Sequence, residues 1–95
     1  MRFTWNPAKN LLNAKRHAVT FEDAVRIFDG PTVEEVDDRF DYGEVRLYAI
    51  GMVNGIELTV VYTDRENDTR HIISARRSTP RERCAFWEEI TAQEN

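Results

Sequence analysis

Val45-Arg46-Leu47-Tyr48-Ala49-Ile50-Gly51-Met52-Val53-Asn54-Gly55-Ile56-Glu57-Leu58-Thr59-Val60-Val61-Tyr62-Thr63 holds two strand-length runs, 45–53 and 56–63, joined by Asn54-Gly55. Asn-Gly between such runs is the strongest short hairpin signal, because a two-residue type I′ turn needs positive φ at both positions. A second turn cluster, 64–69, leads into Arg70-His71-Ile72-Ile73-Ser74-Ala75, which reads as a further strand. Upstream, residues 32–36 read as a short strand and 37–44 as a solvated acidic loop. The spacing of Asp37, Asp41 and Glu44 in that loop does not fit a calcium site.

Helices lie on either side of this meander. Arg2-Phe3-Thr4-Trp5 alternates as a first strand, and Asn6-Pro7 then opens a helix with Asn6 as N-cap and Pro7 at its first position. That helix runs to about His17. Ala8, Leu11, Leu12 and Lys15 share one face and Lys9, Asn13 and Arg16 another. Thr20 caps a second helix with Phe21, Ala24, Val25 and Phe28 as its apolar stripe, and Gly30-Pro31 stops it. Thr79-Pro80-Arg81-Glu82 opens a last helix with Phe86, Trp87 and Ile90 inward. The order β-α-α-β-β-β-β-α predicts an α+β fold, an antiparallel sheet of four to five strands with helices packed on it.

The chain has 95 residues and a formal net charge of −4, which fits one domain, 1–95. No apolar run approaches the roughly 20 residues of a membrane helix, and the N-terminus does not read as a signal peptide. The single Cys84 forms no internal disulfide and no Cys/His spacing suggests zinc. A reducing cytoplasm is therefore expected, with no metal and no cofactor. The charge is segregated. Residues 1–21 carry four basic residues and no acid, whereas residues 70–83 carry five arginines against Glu82 alone. Local cation excess on an acidic chain is what a polyanion requires.

Two blocks resemble the BrnT toxin family. Trp5-Asn6-Pro7-Ala8-Lys9, then Asn13, then Arg16-His17-Ala18-Val19-Thr20-Phe21-Glu22-Asp23-Ala24 is similar to that family's opening. Arg70-His71-Ile72-Ile73-Ser74-Ala75-Arg76-Arg77-Ser78-Thr79-Pro80-Arg81-Glu82-Arg83 is similar to its R-x-I-S-A-R block. The resemblance implies a RelE-like fold and a metal-independent endoribonuclease that inhibits translation. It also implies neutralisation by a BrnA-like, DNA-binding antitoxin, a likeness to toxins that meet their antitoxin in oligomers, and contact with operator DNA only through that partner. Carried over by position, it marks Lys9, Arg16, Arg70, Arg76, Arg77 and Glu82, and then Asn13 and His17. Asn6, Arg16 and Ala18 depart from the family's Asp, Lys and Gly. A left-handed cap at Ala18 would cost a non-glycine residue roughly 1 kcal/mol or more, so this turn is expected to be built differently.

RNA is cut without metal when the 2′-OH attacks its own phosphate. The enzyme then supplies a proton acceptor, cations for the phosphate and a proton donor. Guanidinium groups bind phosphate bidentately and stay charged. A strand period of two puts Arg70, Ile72, Ser74 and Arg76 on one face and His71, Ile73, Ala75 and Arg77 on the other. Arg76, with Arg70 or Arg77, is thus expected to grip the phosphate. Lys9 or Arg16 would supply a second cation, and Glu82 or a histidine would handle protons.

Each residue also has a plainer reading. Thr79-x-x-Glu82 is a capping box. His17 suits a helix C-terminus, and Lys9, Asn13 and Arg16 read equally as a solvated face. Trp5, Phe21, Phe28, Phe86 and Trp87 are core first, and Arg83 covers the core edge. The competing functions are a non-catalytic RelE-like module that binds nucleic acid or a partner, and an interaction domain for an acidic protein.

Overall fold

The computed structural model describes residues 1–39, 41 and 43–93. The chain runs β1 (Arg2–Trp5), α1 (Pro7–His17), α2 (Phe21–Ala24), a 3-10 segment (Val25–Asp29), β2 (Val33–Asp37), β3 (Arg46–Val53), β4 (Ile56–Arg65), β5 (Thr69–Arg77) and α3 (Pro80–Gln93). The five strands form one sheet in the order β1-β5-β4-β3-β2. From β2 to β5 every pairing is antiparallel, while β1 joins β5 in parallel, so the sheet is mixed. Asn54 (φ 51°) and Gly55 (φ 78°) make the expected type I′ turn between Val53 and Ile56, and Asn67 and Asp68 also take positive φ, 62° and 53°, in the three-residue turn between Arg65 and Thr69.

The helix starts follow the sequence. The Asn6 Oδ1 accepts hydrogen bonds from the Ala8 and Lys9 N–H groups, and the Thr20 hydroxyl accepts from Asp23 N–H. The end of α1 does not follow expectation. Ala18 adopts the left-handed conformation itself, φ 57° and ψ 29°, and its N–H donates to Ala14 O. The strain that argued for another turn is carried instead by an alanine. Ala18→Gly should therefore stabilise the fold by about 0.5–1 kcal/mol, read as a higher urea midpoint at unchanged slope.

The main core lies between one face of the sheet and the α1–α2 layer. Phe21, Ala24 and Ile27 meet Ala49, Val60, Tyr62, Ile72 and Ala75, with Phe3, Trp5 and Phe28 packed around them. Gly51 lets the 3-10 segment rest directly on β3, since a Cβ there would come within 2.8 Å of Ile27 Cβ. On the opposite face α3 buries Phe86 over one end of the sheet. Trp87, expected inward, is 45% exposed and donates its indole N–H to Glu57. Beyond α3, Tyr48, Val61, His71, Ser74 and Arg76 are only half-buried, so this second face stays open. Asp37, expected in a solvated loop, ends β2 buried, with Arg39 donating to both its oxygens. Phe40 and Tyr42 of that loop lie outside the described residues. Among the described residues no helix is long and apolar enough to cross a membrane.

A bulge in β5 decides which arginine faces where. Val61 pairs with Ser74 but Tyr62 pairs with Ile72, so Ile73 is an extra residue and the alternation resets there. Arg70, Ile72, Ala75 and Arg77 consequently share the core-side face, while His71, Ser74 and Arg76 share the open one. The expected common face for Arg70 and Arg76 is overturned.

The edge of β5 is closed by a side chain. β1 pairs only with residues 69–72 of β5. Further along, the buried Asn13 of α1 takes the missing strand's place: its Nδ2 donates to Ala75 O and Val19 O, and its Oδ1 accepts from Ala75 N–H. Asn10 serves the same helix by accepting from Phe21 N–H. Polar residues thus anchor α1, and Leu11 and Leu12, grouped on one face by helical spacing, point outward.

Candidate functional site

On the open face a cleft of about 450 Å³ is lined by Arg39, Tyr48, Thr59, Val61, Arg76, Thr79, Arg81 and Glu82. The sheet supplies Tyr48 from β3, Thr59 and Val61 from β4 and Arg76 from β5. The start of α3 supplies the rest apart from Arg39. Arg76 donates from Nη1 and Nη2 to the two oxygens of Glu82 at 2.6 and 2.9 Å. The Glu82 carboxylate also accepts from Thr79 N–H (2.8 Å) and the Thr59 hydroxyl, and Glu82 N–H donates to Thr79 Oγ1. The capping box is therefore present, and the residue that completes it also holds Arg76. Among the described residues Arg81 has no ion pair, which leaves an available cation beside this pair.

Burial pushes Glu82 toward a higher pKa, but Arg76, Thr79 N–H and the Thr59 hydroxyl together hold it down at about 2. Glu82 is ionised throughout neutral pH. Tyr48 moves the other way. Its hydroxyl donates to Glu35 at 2.8 Å, and that bond with burial raises it to about 12, so the phenol keeps its proton. Burial and the nearby Arg65 and Lys9 lower the His71 imidazole. His71 stands opposite Thr63 while Arg76 stands opposite Thr59, a separation of roughly 13 Å along the strand. It does not share the cleft.

The Glu82 pair has a pH consequence. A carboxyl whose folded-state pKa is depressed from 4.5 to about 2 adds stability that is complete above pH 4.5 and is lost as pH falls through 2. After allowing for partial exposure, the loss should be on the order of 2 kcal/mol. Urea melts from pH 5 to pH 2 should show wild type losing that much more than Glu82→Gln; parallel acid limbs would show that the pair contributes nothing.

The other expected site residues are dispersed. Arg70 is stacked between aromatic rings, 4.7 Å from the Phe28 centroid and 4.2 Å from Tyr62, and is paired with Asp64 and Glu34. It is fully engaged on the core side. Arg77 is exposed there too, beside Ala18, Val19 and Asp23, away from the cleft. Asn13 is buried and spends its amide on backbone. Lys9, Arg16 and His17 do converge, but in a second cavity of about 210 Å³ with Leu12, Asn13, Ile73 and Ser74. Ser74, which lines the second cavity, precedes Arg76, which lines the cleft, by two residues on the same face of β5, roughly 6.6 Å along the strand. Arg83 donates to Ser78 O, a structural tie. Tyr48 reads from sequence as a strand aromatic and Arg81 as a solvated or partner-contacting charge, and neither Thr59 nor Arg39 stands out there, yet all four line the cleft. The alternation of β3 and β4 was the available signal for Tyr48 and Thr59.

Residues 5–82 match the family described as ribonuclease toxin, BrnT, of type II toxin-antitoxin system. No curated protein matches in sequence. The crystal structure of the Brucella abortus ribonuclease toxin, BrnT, is similar, with a TM-score of 0.63 and 26% identity, covering 83% of this chain and 97% of that one.

Proposed function

Because the chain belongs to the BrnT family of type II ribonuclease toxins, we propose that it cleaves single-stranded RNA without metal, at the cleft formed by Arg76, Arg81, Tyr48 and Glu82. The observation that carries this reading is the bidentate Arg76–Glu82 pair on an open sheet face. A guanidinium already presented with two parallel N–H groups is matched to a phosphate, which competes with the carboxylate for it.

The residues divide the work. Arg76 and Arg81 bind the scissile phosphate and stabilise the charge that gathers on it. Drawn partly away from Arg76, Glu82 becomes more basic and takes the 2′-OH proton as the 2′-oxygen bonds to phosphorus. Tyr48 keeps its proton at neutral pH by donating it to Glu35; turned from Glu35 to the seated RNA, the hydroxyl gives that proton to the departing 5′-oxygen as the P–O5′ bond breaks. The products are a 2′,3′-cyclic phosphate and a 5′-hydroxyl. Lys9, Arg16 and His17 hold the adjacent phosphate, since successive phosphates match the spacing from Arg76 to Ser74. An antitoxin relieves the resulting block on translation.

The test is RNA cleavage by isolated protein in chelator, with the product ends identified. Cyclic phosphate ends are expected. Ends bearing a 5′-phosphate, or cleavage that needs a divalent ion, overturn the mechanism, and intact RNA leaves a binding module.

A further inference from the structure

Helix α1 is mounted with its polar side inward, and this leaves a ridge unexplained by the fold. Ala8, Leu11, Leu12 and Lys15 follow one another at three- and four-residue spacing and all face solvent, Leu11 at 70% and Leu12 at 45% exposure. Two adjacent leucines with an alanine form a patch rather than a scattered apolar residue. Cations rim it. Among the described residues Lys9, Lys15 and Arg16 are in no ion pair, and residues 1–21 contain no acid. The acid that does reach α1, Glu22, accepts from Asn10, on the far side of the helix from the leucines.

We propose that this ridge is the seat of the antitoxin, which lays an acidic amphipathic helix along α1. Its apolar residues cover Leu11 and Leu12, and its carboxylates meet Lys15 and the neighbouring Lys9 and Arg16. A ridge at three- and four-residue spacing is what a facing helix interdigitates with. RNA offers phosphate charge, but its base faces stack on aromatic rings and guanidinium planes, which this ridge of leucines lacks, so a protein fits both halves of the patch. The position also gives a route to inhibition. Leu12 lines the cavity that holds Lys9, Arg16 and His17, so a helix lying on the ridge covers the adjacent-phosphate site and claims its cations. This inference rests on the toxin reading above.

The experiment uses two exposed positions outside both cavities, Leu11→Asp and Lys15→Glu, and the protein encoded by the small reading frame adjacent to this gene. Leu11→Asp should weaken that complex about 100-fold and Lys15→Glu about tenfold, while RNA cleavage by the isolated chain stays within about threefold of wild type. Affinities unchanged in both variants overturn the proposal, as does failure of the neighbouring product to bind the wild-type chain. RNA affinity that falls while the protein complex is undisturbed overturns it in favour of an RNA track. The ribonuclease reading is judged separately, by whether the wild-type chain alone cuts RNA.

Discussion

Arg76→Ala should lower RNA cleavage by roughly 100- to 1,000-fold, the range lost when a preorganised donor to developing transition-state charge is removed. Arg76 is the one arginine of β5 on the open face within the cleft, and its two N–H groups are already aligned in parallel on the Glu82 carboxylate. Replacement removes the phosphate's bidentate partner and leaves the Glu82 carboxylate without its ion-pair partner, held only by Thr79 N–H and the Thr59 hydroxyl, which adds repulsion toward the incoming phosphate. Arg76→Lys should recover little, because an ammonium is a point charge without the planar fork. Arg77→Ala is the matched control: one residue along the strand but on the other face, it should keep cleavage within about threefold. The measurement is single-turnover cleavage of one RNA by each variant, with circular dichroism to establish folding. An Arg76→Ala protein that cuts at the wild-type rate would sink the assignment of the cleft.

The strands and turns were legible because local chemistry dictates them. Asn54-Gly55 has few other uses between two β-branched runs, and Asn6-Pro7 and Thr79-Pro80 declare helix starts by capping. The face of each β5 arginine was not legible. A period-two reading of residues 70–77 assumes unbroken pairing, and Ile73 breaks it. A clue was present: Ile72 and Ala75 both suit a core but stand three apart, and only an added residue puts them on one face. Tertiary context supplied the rest. Helical spacing grouped Leu11 with Leu12 but not the direction they face, because that is set by what Asn13 finds at the edge of β5. The basic block that looked like one phosphate grip is therefore three things. Arg70 is a cation stacked in the core edge, Arg77 is an exposed end of the strand, and Arg76 faces the cleft.

Asn13→Ala should cost about 3 kcal/mol of stability and lower the melting temperature by roughly 15–20 °C. The side chain is only 7% exposed and makes three hydrogen bonds, two donated and one accepted, all to backbone. Two of them close the edge of β5 at Ala75, which no strand covers, and the third fixes Val19 at the entry to α2. Removal leaves Ala75 N–H, Ala75 C=O and Val19 C=O without partners near the core, at about 1 kcal/mol each before any relaxation or entry of water. Asn13→Asp should fare little better, since a carboxylate still accepts from Ala75 N–H but repels the two carbonyls that the amide served. The same variants separate a structural role from a phosphate-binding one. At a temperature where it is folded, Asn13→Ala should cut RNA within about threefold of wild type, because Asn13 borders the cavity that holds Lys9 but spends its amide on backbone. Full stability with impaired RNA binding would return Asn13 to the phosphate site. Loss of stability with cleavage retained would show that the edge of β5, on which Arg76 and Ser74 are aligned, is held in register from α1.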